Sequence, residues 1–219
     1  MNRAALLACF VCAGIAQAQY SGTEVPAHWE VGVLGGFGWT NDLTVKNPSG
    51  SATTGLNSGA AFGAFGGDDM YDHLSGEARY LYRFSDLKLS SGGTSTNFGG
   101  HTHIAEGAFL YHFAPRRSSV RPFFAFGGGV KILQGTGIES AGQPLGRFAA
   151  LTATREILPT ADVGFGIKWN YREHARIRIE VRDYISGAPS KVIAPAPGAS
   201  ITTSVMNDVT GLVGLSYVW

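Results

Sequence analysis

The residues with the clearest chemical potential are His101 and His103, which are separated by a single residue. On a β-strand, residues two positions apart point to the same face, so two imidazoles would lie side by side and could bind a metal ion. A metal site needs further protein ligands, and no third ligand can be identified in the sequence. We therefore expect solvated histidines at the base of a loop, and no metal site.

Nucleophilic catalysis offers a second use for this pair. A serine would have to lie on the same face as His103, but the neighbouring residue, Thr102, points to the opposite face. The sequence also lacks the serine-hydrolase elbow, the His-Glu-x-x-His zinc motif, the phosphate-binding Gly-x-x-x-x-Gly-Lys loop and a dinucleotide-binding glycine motif at a strand-to-helix turn. We therefore expect neither enzymatic activity nor a cofactor.

Charged residues recur at every second position in several stretches of the chain. In residues 175–182, alanine, isoleucine and valine occupy the odd positions, whereas arginine and glutamate occupy the even ones. This alternation is typical of a strand with one apolar and one polar face. We predict that the polar faces line the interior of a closed barrel and form a charge network there. Its expected members are Glu77, Arg79, Arg83, Glu106, Arg121, Lys131, Asp162, Lys168, Arg176, Arg178, Glu180 and Arg182, joined by His112 and Glu30.

The elements that position these charges are strands with a period of two. The pattern predicts strands over 29–39, 74–84, 101–113, 120–133, 159–170, 175–185 and 208–219. An eighth strand is expected near 57–67, where the apolar residues allow either face to point inward and could hide a bulge. An even number of strands is what a closed antiparallel barrel requires when both of its ends lie on one side.

The predicted connections alternate in length. Those at 40–57, 85–99, 134–157 and 186–206 are long, whereas those at 68–73, 114–119 and 171–174 are short. Transmembrane barrels of the outer membrane show this asymmetry, and strands of about 10 residues suffice to cross the hydrocarbon layer when tilted. We therefore predict an all-β fold, a transmembrane eight-stranded antiparallel up-and-down β-barrel, over the alternative of a soluble barrel of the lipocalin type.

Aromatic residues support the membrane interpretation because they collect at the two ends of the predicted strands. Interfacial girdles of aromatic side chains are expected where a barrel crosses the membrane surfaces. Trp39, Tyr82 and Phe84 fall at the long-loop end, and the opposite end holds Trp29, Tyr111, Phe113, Trp169, Tyr217 and Trp219.

The first 18 residues have the composition of a signal peptide. Arg3 provides a positive start, an apolar stretch follows, and Ala16-Gln17-Ala18 forms a small-x-small cleavage site. Cleavage after Ala18 would leave a barrel domain at 19–219. A lipoprotein signal ending at Cys9 is disfavoured because too few apolar residues precede it. Cleavage would remove Cys9 and Cys12, and it would leave acidic and basic residues equal in number, which argues against a nucleic-acid partner.

Three segments resemble the outer-membrane β-barrel superfamily that includes the transmembrane domain of OmpA and the small proteins OmpX and Ail. They are residues 120–129, 177–184 and 211–219. The resemblance implies a Gram-negative outer-membrane location among outer-membrane lipid, and recognition of the C-terminal strand by the barrel-assembly machinery. The sequence departs from full-length OmpA by stopping at the barrel, so we expect no periplasmic domain.

Members of this superfamily serve as structural proteins, adhesins, complement-resistance factors or narrow pores. We expect a structural or surface-interaction role, similar to that of adhesins, through an unknown partner of the loops. A narrow channel for ions or small solutes and an outer-membrane lipid-modifying enzyme are the alternatives. Loops 40–57 and 85–99 are rich in Ser, Thr, Gly and Asn, whereas 134–157 and its border carry Leu145, Phe148, Leu151, Ile157 and Leu158, for which packing within the loop is favoured over a partner surface.

Overall fold

The computed structural model describes residues 28–140 and 142–219. The predicted signal peptide and its cleavage site therefore lie outside the described residues. In the described part of the chain, no helix is long and apolar enough to cross a membrane. The strands in chain order are β1 (Trp29–Thr40), β2 (Leu43–Asn47), β3 (Gly50–Leu56), β4 (Gly59–Asp68), β5 (Leu74–Phe84), β6 (Leu87–Ser91), β7 (Thr94–Phe98), β8 (Gly100–His112), β9 (Val120–Gly135), β10 (Ala149–Leu151), β11 (Arg155–Arg172), β12 (Ala175–Gly187), β13 (Ile193–Pro195), β14 (Ser200–Ile201), β15 (Val205–Met206) and β16 (Asp208–Val218).

Eight of these strands form a closed antiparallel barrel, as predicted. The order around the barrel is β1, β4, β5, β8, β9, β11, β12 and β16, and β16 pairs with β1 to close the ring. Along each strand, buried and exposed side chains alternate, with apolar residues such as Val33 and Leu215 exposed on the outer surface. The prediction of an all-β transmembrane barrel is confirmed.

The least certain predicted strand is β4. It pairs with β1 and with β5 in continuous register, so it contains no bulge. Ala61 and Phe65 point into the barrel and are buried, whereas Phe62 lies on the outer surface. A register irregularity occurs elsewhere, between Asn170 and Arg172 near the end of β11.

The long connections fold into a second layer above the barrel, which we call the cap. Strands β14, β2, β3, β6 and β7 form a five-stranded sheet in that order, and β10 pairs with β13. The cap has a hydrophobic core of its own, which includes Leu43, Leu89, Phe148, Leu151 and Ile193. The predicted loop packing is thus found for Phe148 and Leu151, which are buried at the centre of this core.

One predicted loop boundary was wrong. The segment 134–157 was expected to be a connection, but β9 continues to Gly135 and β11 begins at Arg155. Ile157 therefore belongs to the barrel wall, where its side chain is 61% exposed on the outer surface. Leu158 also lies in β11 and packs against the cap core from below.

Candidate functional site

The barrel interior contains all twelve side chains of the predicted charge network, and each is buried. Glu30 and His112 lie there as well, together with Asp69 and Asp208, which the sequence did not indicate. These interior groups comprise eight basic and seven acidic side chains, so the charges nearly balance. Near balance is required, because an isolated ion buried in a narrow lumen would carry a large desolvation penalty.

At mid-height, ion pairs cross the lumen from wall to wall. Strands β5 and β12 lie diametrically opposite in the ring of eight. Arg79 of β5 lies 2.5 Å from Glu77 and 2.8 Å from Glu180 of β12. Arg178 of β12 lies 2.6 Å from Glu77 and 3.0 Å from Glu180. Two carboxylates and two guanidiniums thus form a square network that ties opposite walls of the barrel together.

Further groups surround this square. Arg182 lies 3.2 Å from Glu180 and also pairs with Asp162. Glu106 is held more weakly, because its nearest cation is Arg79 at 3.4 Å and neither of its carboxylate oxygens accepts a hydrogen bond from the described residues.

Aromatic rings line the mid-height network as well. The Arg178 guanidinium lies 4.3 Å from the centroid of the Phe65 ring and 5.3 Å from that of Phe123. A guanidinium held between ring faces gains cation–π stabilisation while its edge remains free for carboxylates. The inward position of Phe65 on β4 is therefore explained by its contact with Arg178.

A second cluster closes the end of the lumen that carries the short turns. Lys168 and Arg176 lie 2.6 Å and 2.8 Å from Glu30. Arg121 lies 2.7 Å from Asp69, a residue of the turn that follows β4. Burial alone would raise the pKa of the Asp69 carboxyl, but the nearby cations Lys168, Arg121 and Arg176 outweigh that effect and hold the pKa below its usual range.

A third cluster lies beneath the cap. Arg83 lies 2.5 Å from Asp208, and Lys131 lies 3.6 Å from the same carboxylate. Lys131 also donates hydrogen bonds to the Tyr184 carbonyl oxygen and the Ser186 hydroxyl. The charge network therefore fills the lumen at both ends and at mid-height.

Ser75, His112 and Asp69 have the composition of a catalytic triad but not its geometry. The Ser75 hydroxyl donates a hydrogen bond to Asp69 over 2.5 Å, and His112 Nε2 lies 2.7 Å from the same hydroxyl oxygen. In a triad the histidine accepts the serine proton and the acid orients the histidine. Here the acid contacts the serine, and His112 Nδ1 has no hydrogen-bond partner among the described residues, so the acid does not orient the histidine as in a triad. All three side chains are buried.

His101 and His103 lie on the outer surface of the barrel, near the cap. Their ring centroids are 4.9 Å apart, and His103 Nδ1 is 2.5 Å from the Tyr80 hydroxyl. Among residues 28–140 and 142–219, no group of three or more histidine, cysteine or acidic side chains is arranged to hold a metal ion. The pair instead packs among aromatic rings, including that of Tyr82.

The predicted girdle residues all lie on the outer surface. Trp39, Tyr82 and Phe84 lie below the cap, and Tyr82 is half-buried against neighbouring rings. At the short-turn end the outer surface carries Trp29, Tyr111, Phe113, Trp169, Tyr217 and Trp219, all exposed. Tyr71 and Tyr171 at the same end are also exposed aromatics that the strand pattern did not assign to a girdle.

The outer face of the cap sheet is lined by hydroxyl groups. Thr44, Thr53, Ser90 and Ser95 are aligned across four neighbouring strands by the hydrogen-bond register. Antiparallel neighbours in direct register share a face and are spaced by about 4.8 Å. An open groove of about 430 Å³ lies on this face and is lined by Ser51, Thr53, Ser90, Ser91, Gly92, Gly93, Thr94 and Ser95.

Solved structures share this architecture. The chain superimposes on the crystal structure of the outer membrane protein OprG from Pseudomonas aeruginosa with a TM-score of 0.58 and 12% identity, covering 89% of this chain and 97% of OprG. For Neisserial surface protein A the TM-score is 0.55 at 11% identity, and the match covers 90% of this chain and all of that chain. The chain has the fold of the small eight-stranded outer-membrane barrels. No protein-family model matches the sequence, and no curated protein matches it either.

Proposed function

We propose that this outer-membrane barrel is a surface-interaction protein without enzymatic activity, which contacts its partners through the cap. Export would use the signal peptide cleaved after Ala18, and residues 19–219 would form the mature protein in a Gram-negative bacterium. The short-turn end then faces the periplasm and the cap faces outward. In this proposal outer-membrane lipid surrounds the barrel, and the barrel-assembly machinery recognises the C-terminal strand β16.

The observation that carries the proposal is the cap itself. Loops that only connect strands need no hydrophobic core, whereas this cap packs Leu43, Leu89 and Phe148 into one and holds a sheet face toward solvent. Glu156 fixes the base of the last long connection by accepting hydrogen bonds from the backbone N–H groups of Ser190, Lys191 and Val192. A rigid, polar surface held away from the membrane is suited to binding a partner, because little conformational entropy is lost on contact.

Cells that display the wild-type protein should adhere to a surface that carries the partner. The double substitution Thr53→Lys and Ser90→Lys should abolish this adhesion. Both side chains line the hydroxyl groove, so two long cations would fill it without disturbing the buried core. Adhesion would be counted on immobilised oligosaccharides and extracellular matrix proteins, with equal surface display verified by antibody. Lysine at the 95% exposed Ile138 provides the control. Unchanged adhesion of the Thr53 and Ser90 variant would contradict the assignment of this face.

The interior supports a closed barrel over the alternative of a narrow channel. In a planar bilayer the purified wild-type protein should show no conductance steps, because ion pairs join opposite walls at mid-height. Neutralising Arg79, Arg121 and Arg178 together should produce barrels that either conduct ions or fail to stay folded. Electrophoresis without heating separates these two cases, because folded barrels migrate faster than unfolded ones. Reproducible conductance of the wild type that changes in this variant would favour the channel instead.

A further inference from the structure

Most of the outer surface of the barrel is apolar, but near the cap it carries a row of polar side chains on three neighbouring strands. His101, Gln134 and Arg155 lie in direct register on β8, β9 and β11, next to Phe84 on β5. Direct register places them on the same face as Phe84, whose ring is 53% exposed on the outside. His103, one step further from the cap, hydrogen-bonds with Tyr80. A direct-register row climbs a barrel of tilted strands, since the row that begins at Trp29 returns to β1 at Trp39. The cluster therefore rises from Phe84, at the aromatic girdle, to Arg155, which lies above the girdle at the base of the cap.

The donors in this row are spaced to surround a small anion. Neighbouring strands lie about 4.8 Å apart, so the backbones of His101 and Arg155 are separated by about 10 Å, with Gln134 between them. An imidazole, a carboxamide and a guanidinium reaching from this row can converge on one tetrahedral group. The planar guanidinium of arginine matches a phosphate in two-point contact better than a lysine ammonium does.

Arg155 lacks a partner within the described chain. Its side chain forms no ion pair and no side-chain hydrogen bond with residues 28–140 or 142–219. The adjacent carboxylate, Glu156, points inward and is occupied by backbone N–H groups. By contrast, Asp183, another outward charge near the cap, is satisfied by hydrogen bonds from Asn207 and the Asp208 backbone. An unpaired arginine at the base of the cap is therefore available to contact a polar group of the membrane surface.

The cluster occupies only one side of the barrel. At the same end of β1 and β16 the outward residues are Trp39 and Val209, and they carry no charge. General anchoring of a barrel at the membrane surface would not require the donors to gather on three adjacent strands. The one-sided distribution points to a single ligand rather than to the average headgroup layer.

We propose that Arg155, Gln134 and His101 bind the phosphate-bearing headgroup of an anionic lipid in the outer leaflet. Arg155 would contact the phosphate oxygens, while His101 and Gln134 donate further hydrogen bonds. The exposed rings of Phe84 and Phe62, on the neighbouring strands, would pack against the upper part of an acyl chain. This site is independent of the partner-binding role of the cap.

Counting bound lipids by native mass spectrometry tests the site. The refolded protein in non-ionic detergent would be titrated with phosphatidylglycerol, and we expect R155Q to weaken binding of the first lipid by about tenfold or more. R172Q is the matched control, because Arg172 lies near the opposite end of the barrel and stacks over Tyr171. R155K should restore only part of the affinity. Equal losses in R155Q and R172Q would overturn the proposal.

Two further probes identify the source of the anion. An uncharged diacylglycerol glycolipid should bind the wild type at least tenfold more weakly than phosphatidylglycerol, and inorganic phosphate alone should not displace the bound lipid at millimolar concentration. A wild type that holds the uncharged glycolipid equally well would show that phosphate is not recognised. Displacement by inorganic phosphate would show a free-anion site instead of a lipid site.

Discussion

Replacing Glu180 with glutamine should lower the free energy of unfolding by about 3–5 kcal/mol, the range expected when one partner of a buried ion pair is removed. Glu180 lies within 3.2 Å of three arginines, Arg79, Arg178 and Arg182, and its side chain is fully enclosed. Glutamine keeps the shape but removes the charge that these three guanidiniums share. The interior, which already holds one more basic than acidic group, would then carry a larger unbalanced positive charge.

Urea unfolding in lipid vesicles, followed by tryptophan fluorescence, measures this loss. Glu106→Gln is the matched control, because Glu106 is equally enclosed but forms an ion pair with one arginine only, Arg79, at 3.4 Å among the described residues. We expect Glu106→Gln to cost about 1 kcal/mol, as for a weakly held hydrogen-bonding group. Equal costs for the two substitutions would contradict the view that the square of Glu77, Arg79, Arg178 and Glu180 bears most of the interior stabilisation.

The strands of the barrel wall could be predicted because the alternation that defines them is contained within each strand. An alternating strand such as β12 separates its arginines from its isoleucines regardless of the rest of the chain, and a lipid-facing surface requires that separation. The face of β4 could not be predicted in this way, since residues 60–65 are apolar or small on both faces. Its orientation follows from the contact between Phe65 and Arg178, which are 113 positions apart in sequence.

The cap and two of the interior acids were missed for different reasons. Leu43 and Val45, and again Leu87 and Leu89, alternate with polar residues inside segments predicted to be loops, so a short strand signal was present. Asp69 gave no such signal, because it lies in a turn where no period applies. Asp208 begins β16 on the polar face, but only the closed ring brings it to Arg83 and Lys131.

Replacing Gly36 with valine should prevent the barrel from folding, whereas the same change at Gly35 should be tolerated. A Cβ atom on Gly36 would lie 1.9 Å from the Gly211 carbonyl oxygen of β16, a distance that no real contact reaches. The obstacle is backbone rather than a mobile side chain, so β1 and β16 would have to separate where they close the ring. The loss of folding free energy should therefore exceed that of ordinary overpacking in a core, which is about 1–3 kcal/mol.

Gly35→Val is a matched control, because Gly35 is the residue next to Gly36 on the same strand. A Cβ atom there meets nothing within 4 Å, and its side chain position faces lipid. Both substitutions remove a glycine and add the same β-branched side chain, so strand propensity and unfolded-state entropy change equally. Refolding yield, read from the faster migration of folded barrels on unheated gels, should therefore fall only for Gly36→Val. Equal yields would mean that the seam between β1 and β16 can widen, and that closure of the ring does not depend on the close backbone approach at this position.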